Sequence, residues 1–269
     1  MPLLHPSIER ILPRLADALV DRWPQAVPSE ERLARCRIIS HRGQHDNLNR
    51  MENSIAAFES AAAAGVWGIE MDIRWTRDLW PVVFHDPDLL RVYGARRRID
   101  EFTLPGLRRR YPAIPSLARV VAQFAERLHL MIEIKQEPWR DQGRQVIRLE
   151  KILRPLEPGA DFHLLSIHPE MLLPFSGLPP STMVAVSTAW PGSFSRWVLD
   201  HGWGGLCGHY LPLHTAMIRR HHARHQAVGT GFPGTRNSLF RELHRGVDWI
   251  FSNDAAGLQA IVESVSGSR

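Results

Sequence analysis

The carboxylates of Glu70 and Asp72 stand two residues apart in GIEMDIR, a stretch in which apolar and polar residues alternate. In a strand, Ile69, Met71 and Ile73 take one face while Glu70, Asp72 and Arg74 take the other, so both acids point to one place. Two like charges on an otherwise apolar strand repel each other and are costly to bury, and a cation between them relieves both penalties. Oxygen-only ligands favour Mg²⁺ or Ca²⁺ over zinc. At a strand's end the same pair could instead be solvated or held by arginine. HLMIEIKQ repeats the device, because Leu130, Ile132 and Ile134 alternate with Met131, Glu133 and Lys135. Glu133 therefore offers a third carboxylate from a second strand. Of the 33 Lys plus Arg residues only Lys135 and Lys151 are lysines. A compact ammonium kept beside Glu133 suggests a point charge aimed at an anion or a carboxylate.

The segment from Arg37 to Asp86 adds His41, Arg42, Glu52 and His85 to this set. These residue types can hold a hard metal ion and move protons around a phosphate. HRG at 41–43, ENS at 52–54, IEMD around Glu70 and Asp72, VVFHD ending at Asp86 and IEIK at 132–135 together resemble the glycerophosphodiester phosphodiesterase family, whose barrels are similar to those of phosphatidylinositol phospholipase C. GVDWIFSND at 246–254 resembles that family's closing strand.

The resemblance implies a metal-dependent phosphodiesterase that hydrolyses glycerophosphodiesters to glycerol 3-phosphate and an alcohol. It implies that Glu70, Asp72 and Glu133 hold one divalent cation, that Arg42 and Lys135 contact the phosphate, and that Glu52 supports the site. His41 and His85 would form the acid–base pair. Displacement at phosphorus needs one proton removed from the nucleophile and another supplied to the leaving oxygen, and imidazole can do either. Which histidine is acid and which base stays open, as do the choice of Mg²⁺ or Ca²⁺ and the alcohol. So does the nucleophile, water or a substrate hydroxyl. Two alternatives are a lysophospholipase D-type activity on lysophospholipids and a non-catalytic barrel that binds a phosphoryl ligand. The family's Trp-Thr-Val-Asn-like run is replaced here by Thr230, Gly231 and Phe232.

The elements that must carry these residues alternate along the chain. Strands are predicted at RIISH, GIEMDIR, HLMIEIK, FHLLSI, TMVAVST, GGLCGHY, QAVGTGF and VDWIFSN, with helical patterns between them, including one near 169–176. That alternation argues for an α/β chain folded as a (β/α)₈ TIM barrel, in which chemistry sits at the C-terminal ends of the strands. An open doubly wound sheet is the runner-up, but no glycine fingerprint follows a strand. RDLWPVVFHD is read as an excursion bringing His85 to the mouth, and 87–112 as a short irregular insertion after strand 2. Residues 7–35 read as a helix interrupted at Pro13, so 1–36 is expected to be a helical extension covering the barrel's bottom and 37–269 the barrel domain. Trp75, Trp80, Trp139 and Trp190 each follow a strand-like segment and could ring the mouth to hold an apolar or quaternary-ammonium group. His221, His222 and His225 are expected to face outward on a helix.

Composition sets the remaining bounds. With 269 residues, 44% of them hydrophobic and 23% charged, the chain is an ordinary globular one. No apolar run reaches the ~18 residues of a membrane span, and the N-terminus carries early charges and prolines where a secretory signal has an apolar core. Cys36 and Cys207 form neither a zinc pattern nor a disulfide framework, so cytoplasmic residence is expected. The formal charge of +5, with arginine runs at 96–98 and 108–110, could attract phosphate-bearing substrates or an anionic membrane surface. Solvated loop charge explains such runs equally well. Nothing resembles a nucleic-acid-binding motif. The expected partner is a small-molecule phosphodiester.

Overall fold

In the computed structural model, residues 17–266 are described. Each of the eight expected strands forms: β1 (Ile38–His41), β2 (Gly68–Trp75), β6 (His129–Ile134), β7 (Phe162–Ser166), β8 (Met183–Ser187), β9 (Gly205–His209), β10 (Ala227–Gly231) and β11 (Trp249–Ser252). Three shorter strands, β3 (Pro81–Val83), β4 (Asp88–Leu89) and β5 (Ala95–Arg98), belong to the excursion after β2. The order β1-β11-β10-β9-β8-β7-β6-β2 closes through a β1–β2 pairing, and every pairing in the ring is parallel. The chain is a (β/α)₈ barrel.

Closure explains why alternation in β2 does not separate core from water: all eight of its residues are buried. Ile69, Met71 and Ile73 pack outward beneath the helices with Leu130, Ile132 and Ile134 of β6. Each such side chain taken fully out of water contributes roughly 1.5–3 kcal/mol. The opposite face fills the barrel, where Ile39, Met131, Leu165, Val184, Cys207, Trp249 and Phe251 form a separate apolar plug. Glu70, Asp72 and Glu133 point inward above it. At the barrel floor His129 Nδ1–H donates to Ala160 O at 2.8 Å, which leaves its Nε2 to accept from His163 Nδ1–H, also at 2.8 Å. Trp67 stacks on His129 and Trp249 meets His163 edge-on.

Helices Ile55–Ala63, Leu117–Phe124, Gln142–Leu153, Pro191–His201, Thr215–His222, Arg236–Arg245 and Ala255–Ser266 build the outer wall. The expected helix near 169–176 is instead a 3₁₀ segment, Pro169–Phe175. Pro174 lies inside it and lacks the N–H that an α-helix would use there.

The insertion at 87–112 is ordered rather than irregular. β4 and β5 pair antiparallel, and Val82, Phe84, Leu89, Ile99, Leu104, Leu107 and Ile114 give the insertion its own apolar cluster. Of the helix expected over 7–35, residues 7–16 lie outside the described part. From Asp17 onward the chain is helical to Val20, opens through Pro24 and Pro28, and resumes at Glu30–Ala34 under a Ser29 cap. This segment sits on the outer wall: Arg32 donates to Leu243 O at 2.8 Å and Gln25 N–H to Asn237 Oδ1 at 3.0 Å.

Candidate active site

Strand register sets the site. β1 pairs with β2 so that His41 lies beside Glu70, and β2 pairs with β6 so that Asp72 lies beside Glu133. Glu70, Asp72 and Glu133 each present one oxygen, and these oxygens lie within 4.8 Å of one another.

The turn after β1 supplies the first cation. Arg42 and Gly43 both have positive φ, 57° and 78°. A Cβ on Gly43 would come 2.8 Å from the Ala57 carbonyl carbon, so glycine is required for both the turn and the close approach of the helix behind it. Turned this way, Arg42 donates its main-chain N–H to Glu70 Oε2 at 3.0 Å. Its guanidinium reaches Asp72 Oδ2 at 3.2 Å and Glu52 Oε1 at 3.3 Å. Lys135 Nζ lies 2.7 Å from both Asp72 Oδ1 and Glu133 Oε1.

These contacts divide the acids electrostatically. Burial alone would raise the Asp72 carboxyl, but Lys135 and then Arg42 outweigh it and hold the group well below the ordinary range. Burial pushes Glu70 the other way, well above its ordinary value, and the charges of Asp72 and Glu133 add to the push. Glu70 Oε1 is buried without a hydrogen-bond partner. An unpartnered carboxylate oxygen beside two more carboxylates, all hard oxygen donors, fits a divalent cation.

His41 Nδ1 lies 2.7 Å from Asn253 Oδ1, and its Nε2 lies 3.8 Å from Glu70 Oε2. With the amide oxygen accepting from Nδ1–H, Nε2 is the basic nitrogen. Burial, and after it the Arg42 charge, lower His41 to about 3, so the ring is neutral at ordinary pH. His85 arrives because β3 returns antiparallel along the end of β2 and Phe84 N–H donates to Asp72 O at 2.9 Å. Its Nδ1 meets Asp86 Oδ1 at 2.6 Å, while its carbonyl accepts from Arg74 Nε at 3.0 Å and Nη2 at 2.9 Å. Glu52 binds Asn47 Nδ2 at 2.9 Å and takes two bonds from Arg91. Burial would raise Glu52, but Arg91 and Arg42 hold it below the ordinary range.

All eight residues expected at the site therefore stand in one connected cluster. The sequence reading missed the residues that orient them. Asn53, within the ENS stretch, donates to Asp72 Oδ2 at 2.7 Å and accepts from Asp72 N–H at 3.2 Å, while Ser54 caps the helix. Asn253, Asp86, Arg91 and Arg74 are the others. Asp86 and Asn253 lie within the quoted motifs and Arg74 shares a strand face with Glu70 and Asp72, which were the available signals; Arg91 had none beyond charge.

The tryptophan ring does not form. Trp75 is buried and its ring centroid lies 6.2 Å from that of Trp139, Trp80 stacks under Arg148, and only Trp190 projects into solvent. His221 faces inward, opposite to expectation, bonded to Ser195 Oγ and Gln226 Oε1 at 2.8 Å each.

Residues 41–166 match the Glycerophosphoryl diester phosphodiesterase family. Over those residues, a little under half of the chain, it is similar to this family. A glycerophosphodiester phosphodiesterase of Caldanaerobacter subterraneus is 39% identical over 72 residues, 27% of this chain and 29% of that protein. One from Bacillus altitudinis is 30% identical over 134 residues, 45% and 52% of the two chains. Human glycerophosphodiester phosphodiesterase 1 is 34% identical over 99 residues, 32% and 29%. The aligned stretches thus span 29–52% of these curated relatives. Among solved structures, the Thermotoga maritima glycerophosphodiester phosphodiesterase superposes with a TM-score of 0.70 at 20% identity, covering 84% of this chain and 98% of that one. An Oleispira antarctica phosphodiesterase in complex with the product sn-glycerol-3-phosphate gives 0.68 at 21% identity, covering 84% and 96%. At these identities the likeness of the family's solved members to this chain is one of fold. No helix among the described residues is long and apolar enough to cross a membrane.

Proposed function

We propose that this chain is a metal-dependent phosphodiesterase that hydrolyses glycerophosphodiesters to glycerol 3-phosphate and an alcohol. The observation that carries the proposal is the acidic cluster, with an unpartnered Glu70 oxygen, beside two imidazoles each tied at Nδ1. The family match and the product bound to the Oleispira antarctica relative support the substrate class.

Glu70, Asp72 and Glu133 would hold one divalent cation, Mg²⁺ or Ca²⁺. Such an ion, when bound, supplies Lewis-acid polarisation of a phosphoryl oxygen. Arg42 and Lys135 orient the phosphate through their N–H groups. His41, neutral and with Nε2 free of its Asn253 bond, takes the proton from the attacking water. His85, its ring held by Asp86, delivers a proton from Nε2 to the leaving alcohol oxygen. Glu52 clamps Arg42 and Arg91, which keeps the guanidinium of Arg42 over Asp72.

The test is release of glycerol 3-phosphate from glycerophosphocholine or glycerophosphoethanolamine with Mg²⁺ or Ca²⁺, its loss in EDTA, and its loss in His85→Ala. Turnover that survives both chelation and His85→Ala is incompatible with the proposed chemistry. A chain that cleaves none of these diesters with either metal present overturns the substrate class.

A further inference from the structure

Arg74 grips the backbone of His85 from the neighbouring strand. The ladder between β2 and β3 ends at the Ile73–Val83 pair, and the bond from Phe84 N–H to Asp72 O carries it one residue further. His85 lies past that point, where the chain bends. Its carbonyl oxygen accepts from Arg74 Nε at 3.0 Å and from Nη2 at 2.9 Å, so one edge of the guanidinium converges on one acceptor. That oxygen belongs to the peptide unit joining His85 to Asp86, the two residues whose side chains meet at 2.6 Å. A planar peptide held by its oxygen fixes the positions of both Cα atoms, and with them the points from which the imidazole and its carboxylate partner start.

The other side of the guanidinium is tied to the loop after β6. Arg74 Nη1 donates to Gln136 O at 3.4 Å and lies 3.6 Å from Glu137 Oε2, while Trp75 N–H donates to Glu137 Oε1 at 3.1 Å. Gln136 and Glu137 directly follow Lys135, so Arg74 spans from the His85 bend to the strand that brings Glu133 and Lys135. Arg74 is 8% exposed, and among the described residues Glu137 is its one ion-pair partner, although it shares a strand face with Glu70 and Asp72. Its donors are spent on protein acceptors, as burial of a charged group requires. We infer that Arg74 is a positioning residue for proton delivery by His85, held in place by Glu137.

The inference rests on the proposed role of His85 as the acid. A general acid matters where the leaving oxygen needs a proton: choline needs one, whereas p-nitrophenol departs as a stable phenolate. The test therefore compares glycerophosphocholine with the p-nitrophenyl ester of glycerol 3-phosphate, with metal supplied. The variant is Arg74→Met with Glu137→Gln, which leaves no buried carboxylate without its cation and keeps an acceptor for Trp75 N–H. Its kcat on glycerophosphocholine is expected to fall about 100-fold with KM little changed, while kcat on the nitrophenyl ester stays near wild type. In a His85→Ala background the same two changes are expected to cost nothing further, because residues that act as a unit do not add. Arg74→Lys keeps the charge without the fork. It is expected to lose part of the same turnover, again on the choline ester alone, and it carries the comparison if the double variant does not fold. Equal losses on both esters, or a loss that multiplies with that of His85→Ala, overturn the inference, since the arginine then serves the fold or the phosphate. If His85→Ala itself loses equally on the two esters, the acid assignment and the inference fall together. If His85→Ala spares the nitrophenyl ester and the Arg74 variants do not, the positioning role falls alone.

Discussion

Lys135 and Asp72 form an ion pair at 2.7 Å, with Asp72 wholly buried and Lys135 nearly so. The same ammonium contacts Glu133, so one lysine charge is shared by two carboxylates that would otherwise face each other. Removing one partner of a buried pair typically costs about 3–5 kcal/mol because the remaining charge is uncompensated. Lys135→Met is therefore expected to lower the Tm of chelator-treated protein. Added Ca²⁺ or Mg²⁺ is expected to raise the Tm more in the variant than in the wild type, because the carboxylates are no longer shared. Thermal denaturation in EDTA and with each ion reads both effects; a Tm indifferent to the ions in both proteins contradicts the acidic cluster as a cation site.

Glu70 is expected to behave in the opposite sense. Its carboxyl is raised by burial and by Asp72 and Glu133, and its Oε1 is unpartnered, so its charge opposes folding of the metal-free chain. A folded value above the unfolded one means stability that is present at low pH and lost as pH rises. Glu70→Gln keeps an acceptor for the Arg42 N–H and removes the charge. It is expected to raise the metal-free Tm at neutral pH, by about 1 kcal/mol of stability, while lowering turnover with metal supplied by at least ~100-fold. Calorimetry and a glycerol 3-phosphate assay on the same preparation check the two signs.

Asn253 is expected to act through His41. Asn253→Leu removes the acceptor from Nδ1–H and frees the other tautomer, so kcat should fall by about 10–100-fold with the fold intact. Asn253→Asp keeps the acceptor and places a carboxylate against a ring that burial and Arg42 otherwise lower to about 3. The imidazolium is then favoured, and the acid limb of kcat/KM should move to higher pH. Equal losses in both variants with unchanged pH profiles would point to a purely structural role. His85→Ala should lower kcat by ~10²–10⁴, the usual span for a lost general acid or base.

The barrel floor predicts a separate pH effect. Burial lowers His129 to about 4 and His163 to about 3, against an unfolded value of about 6.5. Between those values the unfolded chain binds more protons than the folded one, so these groups withdraw stability as pH falls below about 6.5. The bond from His163 Nδ1–H to His129 Nε2 gives the reason, since a proton on that Nε2 removes the acceptor. The Tm should drop several degrees between about pH 7 and pH 4.5. A His129→Gln, His163→Gln variant should start lower at neutral pH and decline less steeply.

Period-two alternation in GIEMDIR and HLMIEIK made the inward acids legible, and the strand–helix alternation made the barrel legible, because both signals are local to one element. Gly43 was also readable as part of HRG, although its reason, contact with Ala57 from the following helix, was not. Position after a strand misled at Trp75, which continues the outward row of Ile69, Met71 and Ile73 and lies buried with them, and the outward reading failed at His221, which turns inward to Ser195 and Gln226.

By itself, then, the sequence determined which side chains share a face: Glu70 with Asp72, Glu133 with Lys135, and the apolar rows behind them. Only closure of the sheet decided what each face meets. Asn253 comes to His41 across 212 residues because β11 is the strand that pairs with β1 on the side away from β2. Arg91 reaches Glu52 because the insertion folds on its own apolar cluster. Side-chain periodicity is a property of the local backbone, whereas the pairing of hydrogen-bond donors with acceptors in a buried site follows from strand register and packing between elements far apart in the chain.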